Sequence, residues 1–376
     1  MKKRMLLFAV LGFCPVLALP QPPPTDPVVL AYVTSWSGTL PDPNCVTHIN
    51  YAFGYVNETF NGVMINRPAR SVGGNANVSI ESRPDSEERL RAIVALKEQN
   101  PLLKVLLSIG GWGSGRFSEM AGDQTNRFSF AADCQRVILE FGLDGIDLDW
   151  EYPTQTAGGR ISASPDDSDN FTLLIQDIRR AIGPGKLLTF ASVSSAQYVN
   201  FKDVEPYLDF VNIMTYDINI DGSVHHAGLY RSPLTGEPGQ GLSCEESVDA
   251  HLKAGIPAQK LTLGIPFYGR GRNGIPNSLN YKNIINRRGV LGFIGREGET
   301  ILESHREGWD ECAQAPYWVD AQGNFVFSYE TPRSIALKCV WLKQKGMLGA
   351  MYWESGGDDD YGTLTKAVYN GIMNNK

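Results

Sequence analysis

The sequence predicts an α/β fold in which eight short strands alternate with helices and close into a barrel that is interrupted once. Three observations carry this. Eight apolar runs of strand length lie between residues 28 and 354, helix-patterned stretches fall between several of them, and one interval is far longer than the others. The runs are 28–33 (VVLAYV), 47–53 (THINYAF), 103–111 (LKVLLSIGG), 145–151 (GIDLDWE), 187–193 (LLTFASV), 210–217 (FVNIMTYD), 261–267 (LTLGIPF) and 348–354 (LGAMYWE). Near-continuous apolar strands with crossover helices read as a parallel sheet covered on its outer side. Eight such units suggest a closed (β/α)8, or TIM, barrel. A doubly wound open sheet is the alternative, but no Gly-rich nucleotide fingerprint follows the first strand.

The helices follow from period and punctuation. Residues 86–99 place Leu90, Ile93 and Val94 at helical spacing, with Ser86 as N-cap and Pro101 beyond the end. Residues 126–141 stop at Gly142, and 334–345 stop at Gly346. Residues 168–182 put Phe171, Leu174, Ile175, Ile178 and Ile182 on one face. Between the last two strands lie about eighty residues, too many for a plain loop. The stretch 271–332 is therefore expected to be a small α+β insertion between strands 7 and 8. The barrel would comprise residues 28–270 and 333–376. Residues 71–85 look like a long loop at the barrel top.

The amino terminus is basic at Lys2, Lys3 and Arg4, then apolar for about a dozen residues, then Pro-rich. It reads as a secretory signal, residues 1–18, followed by a linker, 19–27, and is too short to span a bilayer. The protein is thus expected outside the cell. Bulky Phe13 stands where a lipoprotein signal has a small residue, so anchoring through Cys14 is the minor alternative. Cleavage removes three basic residues and takes the formal charge from −7 to −10. With no basic run, nucleic acid is not an expected partner. Six cysteines show no CxxC and no metal spacing. Cys134 and Cys339 fall on apolar helical faces, and no disulfide framework is expected.

The run 144–153, DGIDLDWEYP, is unusual. Strand side chains alternate between faces, so Ile146, Leu148 and Trp150 share one face while Asp147, Asp149 and Glu151 share the other. In a barrel the apolar set meets the helices and the acidic row points inward. Glu151 comes last, at the end where barrel active sites lie. Three close carboxylates cannot all ionise cheaply, so protons are retained or shared. A Glu kept protonated near neutrality suits general acid catalysis. Asp144 has the opposite parity and is expected to be structural. A hard metal would accept such oxygens, but no His or second carboxylate cluster converges with them, so no metal and no cofactor is expected.

DGIDLDWE matches the DxxDxDxE signature of glycoside hydrolase family 18, the chitinase family. LLSIGGW (106–112) resembles its SxGG motif, NIMTYD (212–217) its MxYD motif, and GIPFYGR (264–270) and GAMYWE (349–354) its last two strands. The resemblance spans roughly residues 28 to 370. It implies substrate-assisted retaining hydrolysis: Glu151 as acid and base, Asp149 orienting the substrate's 2-acetamido group, Asp147 sharing a proton with Asp149, and Tyr216 donating to the acetamido oxygen. It also implies a sugar-binding cleft. Trp353 would be its floor. Tyr32, Phe53, Gly110, Gly111, Trp112, Gly113 and Tyr268 would line it, and Tyr152, Met214, Thr215, Asp217 and Arg270 would contact the sugar. Trp36 and Trp318 are weaker candidates for outer subsites. His225 and His226 are expected on a loop surface. The implied protein is a monomeric secreted chitinase taking chitin or chito-oligosaccharides. An endo-β-N-acetylglucosaminidase would share the chemistry. A chitinase-like lectin would be expected to lack Glu151.

Overall fold

A computed structural model describes residues 21–65, 86–232, 242–273, 275, 277–289 and 305–374. The expected signal segment, Cys14 and the loop 71–85 lie outside these. Eight parallel strands form the barrel: β1 (Val28–Thr34), β2 (His48–Val56), β4 (Lys104–Gly110), β5 (Gly145–Asp149), β6 (Leu187–Val193), β7 (Phe210–Met214), β8 (Leu261–Pro266) and β14 (Gly349–Trp353). The short β3 (Val63–Met64) pairs antiparallel with β2. The ladder runs β1-β14-β8-β7-β6-β5-β4-β2, and pairing of β1 with β2 closes it. Helices α1 (Ser86–Ala95), α2 (Phe117–Gly122), α3 (Gln124–Phe141), α4 (Asp167–Ile182), α5 (Phe201–Val204), α6 (Cys244–Ala254), α8 (Pro332–Gln344) and α9 (Thr363–Met373) accompany the strands.

Period two sorts the apolar strands into two layers. In β1, Val29, Ala31 and Val33 join the large core between strands and helices, while Val28, Leu30 and Tyr32 join a smaller core inside the barrel. Ile146 and Leu148 of β5, and Trp150 just after it, all point outward into the larger core. Trp150 stacks on Phe117 at 5.2 Å and packs against Phe171 at 6.2 Å, so one ring joins α2 and α4 to the sheet. Truncating it to Ala should cost about 3–5 kcal/mol. The strand itself stops at Asp149, two residues before the expected 145–151, because its last ladder partner on β4 is Gly110.

Local chemistry sets the helix ends. Asp123 caps α3 by accepting from the Asn126 N–H at 2.9 Å, and Gly142 ends it at φ 70°. Ser243 and Glu246 form a reciprocal capping box on α6. Thr331 does the same for α8 with Ser334, and Pro332 occupies the first turn. The face foreseen on α4 is entirely buried.

Beyond β8 the chain builds a second, five-stranded antiparallel sheet. Its strands are β9 (Tyr268–Gly271), β10 (Leu279–Asn280), β11 (Arg306–Asp310), β12 (Ala315–Val319) and β13 (Phe325–Ser328), in the order β10-β9-β13-β12-β11, with helix α7 (Tyr281–Gly289) following β10. It has its own core of Ile275, Leu279, Ile284, Trp318, Val326, Phe327 and Tyr329. Trp318 stacks on Phe327 at 4.6 Å and is 3% exposed. The expectation that it serves an outer subsite is therefore wrong, since its ring fills this sheet's core. Among the described residues, no helix is long and apolar enough to cross a membrane.

Candidate active site

A cleft of about 620 Å³ opens at the C-terminal end of the barrel strands. Its base is the carboxylate row. Asp147 is fully buried below the cleft, and all four of its acceptor positions are served. Tyr32 (2.9 Å) and Ser108 (2.7 Å) donate to Oδ2, and Thr189 (2.5 Å) and Asn212 (3.2 Å) to Oδ1. Three of those donors follow from strand register or proximity, since Ser108 and Thr189 are Asp147's direct ladder neighbours and Asn212 lies one strand further. Burial raises the Asp147 pKa while the four hydrogen bonds pull it back.

Asp149 lies at the cleft base with buried Oδ1 unpartnered. Burial first, then the charges of Glu151 and Asp147, push its carboxyl well above the usual range. Glu151 follows the end of β5, and a cis peptide joins it to Tyr152. Burial raises its pKa to about 7, against a hydrogen bond donated by Tyr152. The row thus runs from a saturated carboxylate, through one whose pKa is raised by burial and by its acidic neighbours, to one raised to about 7.

The walls come from strand ends. Trp353 lines the cleft, stacked on Phe53 at 5.6 Å and tilted against Tyr32 at 5.6 Å. Gly110 and Gly111 are required by close approach. A Cβ on Gly110 would fall 2.0 Å from the Asp149 carbonyl oxygen, and one on Gly111 2.7 Å from the Phe53 ring. Trp112 is 58% exposed and leans on Tyr152. Tyr216 meets Tyr268 edge-on, and burial with four nearby carboxylates keeps its hydroxyl protonated. Arg270 grips Asp217 with two hydrogen bonds, Nε at 2.7 Å and Nη2 at 2.5 Å. Burial raises the Asp217 pKa, but His226 and Arg270 outweigh it and leave the carboxyl below its usual range. Met214 completes this side.

Most of the expected residues therefore meet in one cleft, and three do not, Asp147 being the one buried beneath it. Thr215 is fully buried and donates to the Gly264 carbonyl at 2.6 Å, because its parity is opposite to that of Met214 and Tyr216. Gly113 is a turn residue at φ 74° between Trp112 and Ser114, which do line the cleft. Trp36 is in the wall, 51% exposed. Tyr55, Ala191, Val193, Ser194, Ile220 and Asn277 were not anticipated there. Tyr55 shares parity with Phe53, which was an available signal.

The two histidines are not on the surface. His225 is 7% exposed, with Nε2 at 3.2 Å from Asp310 and Nδ1 at 3.2 Å from Ser328. It fastens the loop after β7 to the second sheet. His226 is fully buried against Tyr268, with Nδ1 3.6 Å from Asp217. Asp144, in contrast, is structural as expected, accepting from the Val105 N–H at 2.8 Å and pairing with Lys97. Among the described residues, no group of three His, Cys, Asp or Glu is arranged to hold a metal.

A closed eight-stranded α/β barrel with an acidic row ending at its C-terminal mouth, walled by aromatics, places titratable carboxylates where barrel enzymes hold their active sites. Residues 28–358 match the family described as glycosyl hydrolases family 18, and the chain belongs to that family. Chitinase A1 of Niallia circulans is 31% identical over 369 residues, covering 90% of this chain and 50% of that protein. A solved structure of chitinase ChiW from Paenibacillus sp. str. FPU-7 is 30% identical with a TM-score of 0.79, covering 93% of this chain and 43% of that one. A family 18 N-acetylglucosaminidase from Paenibacillus barengoltzii is 32% identical with a TM-score of 0.73, covering 92% of this chain and all of that one. The chain thus spans about half the length of Chitinase A1 and less of ChiW.

Proposed function

We propose that the protein is a secreted chitinase that hydrolyses β-1,4 bonds between N-acetylglucosamine units with retention of configuration. A barrel of residues 28–270 and 333–376, interrupted by the insertion 271–332, would carry the reaction. The observation behind this reading is the graded row: a saturated Asp147, an Asp149 with a free buried oxygen, and a Glu151 whose pKa is raised to about 7. The third carboxylate in the cleft, Asp217, is clasped by Arg270 and is poorly free to attack carbon. The nucleophile must then come from the substrate, as is usual in this family.

Glu151 gives its proton to the glycosidic oxygen as the C1–O bond breaks. The acetamido carbonyl oxygen bonds to C1 and forms an oxazolinium ion, with the aglycone leaving as an alcohol. The free oxygen of Asp149 accepts the acetamido N–H, and the Tyr216 hydroxyl donates to the acetamido oxygen. Asp147, with four donors, stays the anion of the inner pair and stabilises the proton on Asp149. Ionised Glu151 then takes a proton from water as its oxygen attacks C1 and reopens the ring. Two inversions give retention. Trp353 stacks under the sugar whose bond is cut. Export would follow from the basic and apolar residues 2–18, and the enzyme would act as a monomer.

The test is a product profile with anomer detection. Chito-oligomers of defined length should be cut to short β-anomers seen first by proton NMR, and a high-mannose glycoprotein should be left intact. Release of the glycan with no cutting of oligomers would replace this reading by the endo-β-N-acetylglucosaminidase.

A further inference from the structure

The fully buried Lys338 on α8 takes no part in the chemistry above. Its ammonium pairs with the buried carboxylate of Glu330, which lies between β13 and α8. The Ser334 hydroxyl donates to the other oxygen of that carboxylate at 2.6 Å. The ammonium also reaches out of its own helix. Nζ donates to the Ala227 carbonyl at 2.6 Å, 111 positions earlier, in the loop that follows β7. The Cys244 thiol, at the start of α6, lies 3.4 Å from the same carbonyl and 3.4 Å from the Thr215 carbonyl. The two feet of the loop, Thr215 and Ala227, therefore stand on one buried cluster of Lys338, Glu330 and Cys244. The Ile218 N–H closes the loop by donating to the His226 carbonyl at 3.1 Å.

Between those feet lie residues that the cleft uses. Tyr216 and Asp217 follow Thr215 directly, and both line the cleft. Asp217 holds a left-handed backbone at φ 52°, which a non-glycine residue adopts at a cost. His226, next to Ala227, is fully buried, 5.3 Å from the Tyr268 ring and 3.6 Å from Asp217. A shift of the Ala227 carbonyl would therefore pass to Asp217 through His226, and to Tyr216 through the shared thiol. A buried ion pair is a poor source of net stability, since an apolar pair of the same volume often does as well. What an apolar pair cannot do is hold a carbonyl in one place. We propose that Lys338, paired with Glu330, is a positioning residue: by holding the Ala227 carbonyl it keeps Tyr216 and Asp217 aimed into the cleft. This rests on the chitinase reading and adds to it a residue outside the cleft on which the rate depends. Lys260 is an internal control at the opposite end of β7. It is buried too, pairs with Glu205 at 2.7 Å, and donates to the Glu205 and Leu208 carbonyls at 3.1 and 2.9 Å, just before the strand begins.

The experiment replaces each pair by neutral side chains of similar size, Lys338→Met/Glu330→Gln and Lys260→Met/Glu205→Gln. It follows hydrolysis of a hexamer of β-1,4-linked N-acetylglucosamine, melting temperature, and amide hydrogen exchange in the peptide 215–231. Lys338→Met/Glu330→Gln should melt within about 4 °C of wild type, while kcat on the hexamer falls about tenfold and exchange in the peptide rises about tenfold. In a Tyr216→Phe/Asp217→Asn background the same pair should cost less than about twofold in kcat. Lys260→Met/Glu205→Gln should change kcat and the exchange of that peptide by less than about twofold, whatever it does to melting. Cys244→Ala removes only the weaker donor and should lower kcat about threefold, again with little effect in the Tyr216→Phe/Asp217→Asn background. It decides the matter even if the Lys338 variant does not fold. An equal kcat loss in the Lys260 pair, full additivity with Tyr216→Phe/Asp217→Asn, or unchanged exchange in the peptide would overturn the inference and leave the chitinase reading in place. A wild type that leaves the hexamer uncut would remove both.

Discussion

Asp147 and Asp149 are two residues apart on one strand and face the same way, yet their surroundings differ in kind. Asp147 sits among the side chains of four strands and is met by four donors. Asp149 sits one layer higher, with an oxygen that nothing meets. Beyond it, Glu151 has left the ladder and is followed by Tyr152 at the cleft. The same residue type is thus a structural keystone at one depth and an unsatisfied acceptor at the next. A buried polar group left unpaired is costly, and in the proposed mechanism the substrate's acetamido N–H would pair with it.

That contrast can be broken from the top. Glu151→Gln keeps shape and loses the proton, so turnover should fall on the order of 10³-fold while calorimetry shows hexamer affinity within about threefold of wild type. Asp149→Asn comes next, at about 10² in kcat, with melting temperature little changed, because its free oxygen supports nothing in the fold. Asp147→Asn should do the reverse of that pattern in stability. It turns an amide NH2 toward hydroxyl donors and should cost about 1–3 kcal/mol in chemical denaturation, along with some rate. If Asp149→Asn proves the more destabilising of the two, the division between keystone and acceptor is wrong.

The smallest effect is in pH. The kcat/KM profile should fall on its basic limb near pH 7, where Glu151 ionises. The sign for stability follows from linkage. The folded pKa is raised above the ordinary value of about 4.3, so the folded state holds the proton longer than the unfolded one. Stability is therefore lost as pH rises from there to about 7, and the full penalty remains above. Glu151→Gln escapes it, and should melt a few degrees (~2–4 °C) above wild type at pH 8 and at nearly the same temperature at pH 4. Differential scanning calorimetry at the two pH values checks this.

Much of the fold and most of the cleft could be read from residue order, because strand parity is a short-range property. The inward acidic row, the outward Ile146, Leu148 and Trp150, and the aromatic strand ends all obey it. Parity would also have removed Thr215, which alternates with Met214 and Tyr216. The partners of Asp147 were legible in principle as polar residues interrupting apolar strands, at Ser108, Thr189 and Asn212. Other contacts had no local signal. His225 meets Asp310, eighty-five positions away, and no spacing announces that. Trp318 reads as an aromatic available for sugar until the second sheet closes over it. Glu354 follows a strand end like many acidic residues, and its partner Thr34 lies more than three hundred positions earlier.

The His225 contact has a practical consequence for protein engineering. The loop it fastens also contributes Ile220 to the cleft wall, so the wall and the second sheet form one mechanical unit though they lie apart in sequence. A chimera that exchanges only the insertion would leave His225 facing foreign side chains and release the wall. A graft intended to transplant cleft shape should carry residues 217–231 together with the sheet that holds them.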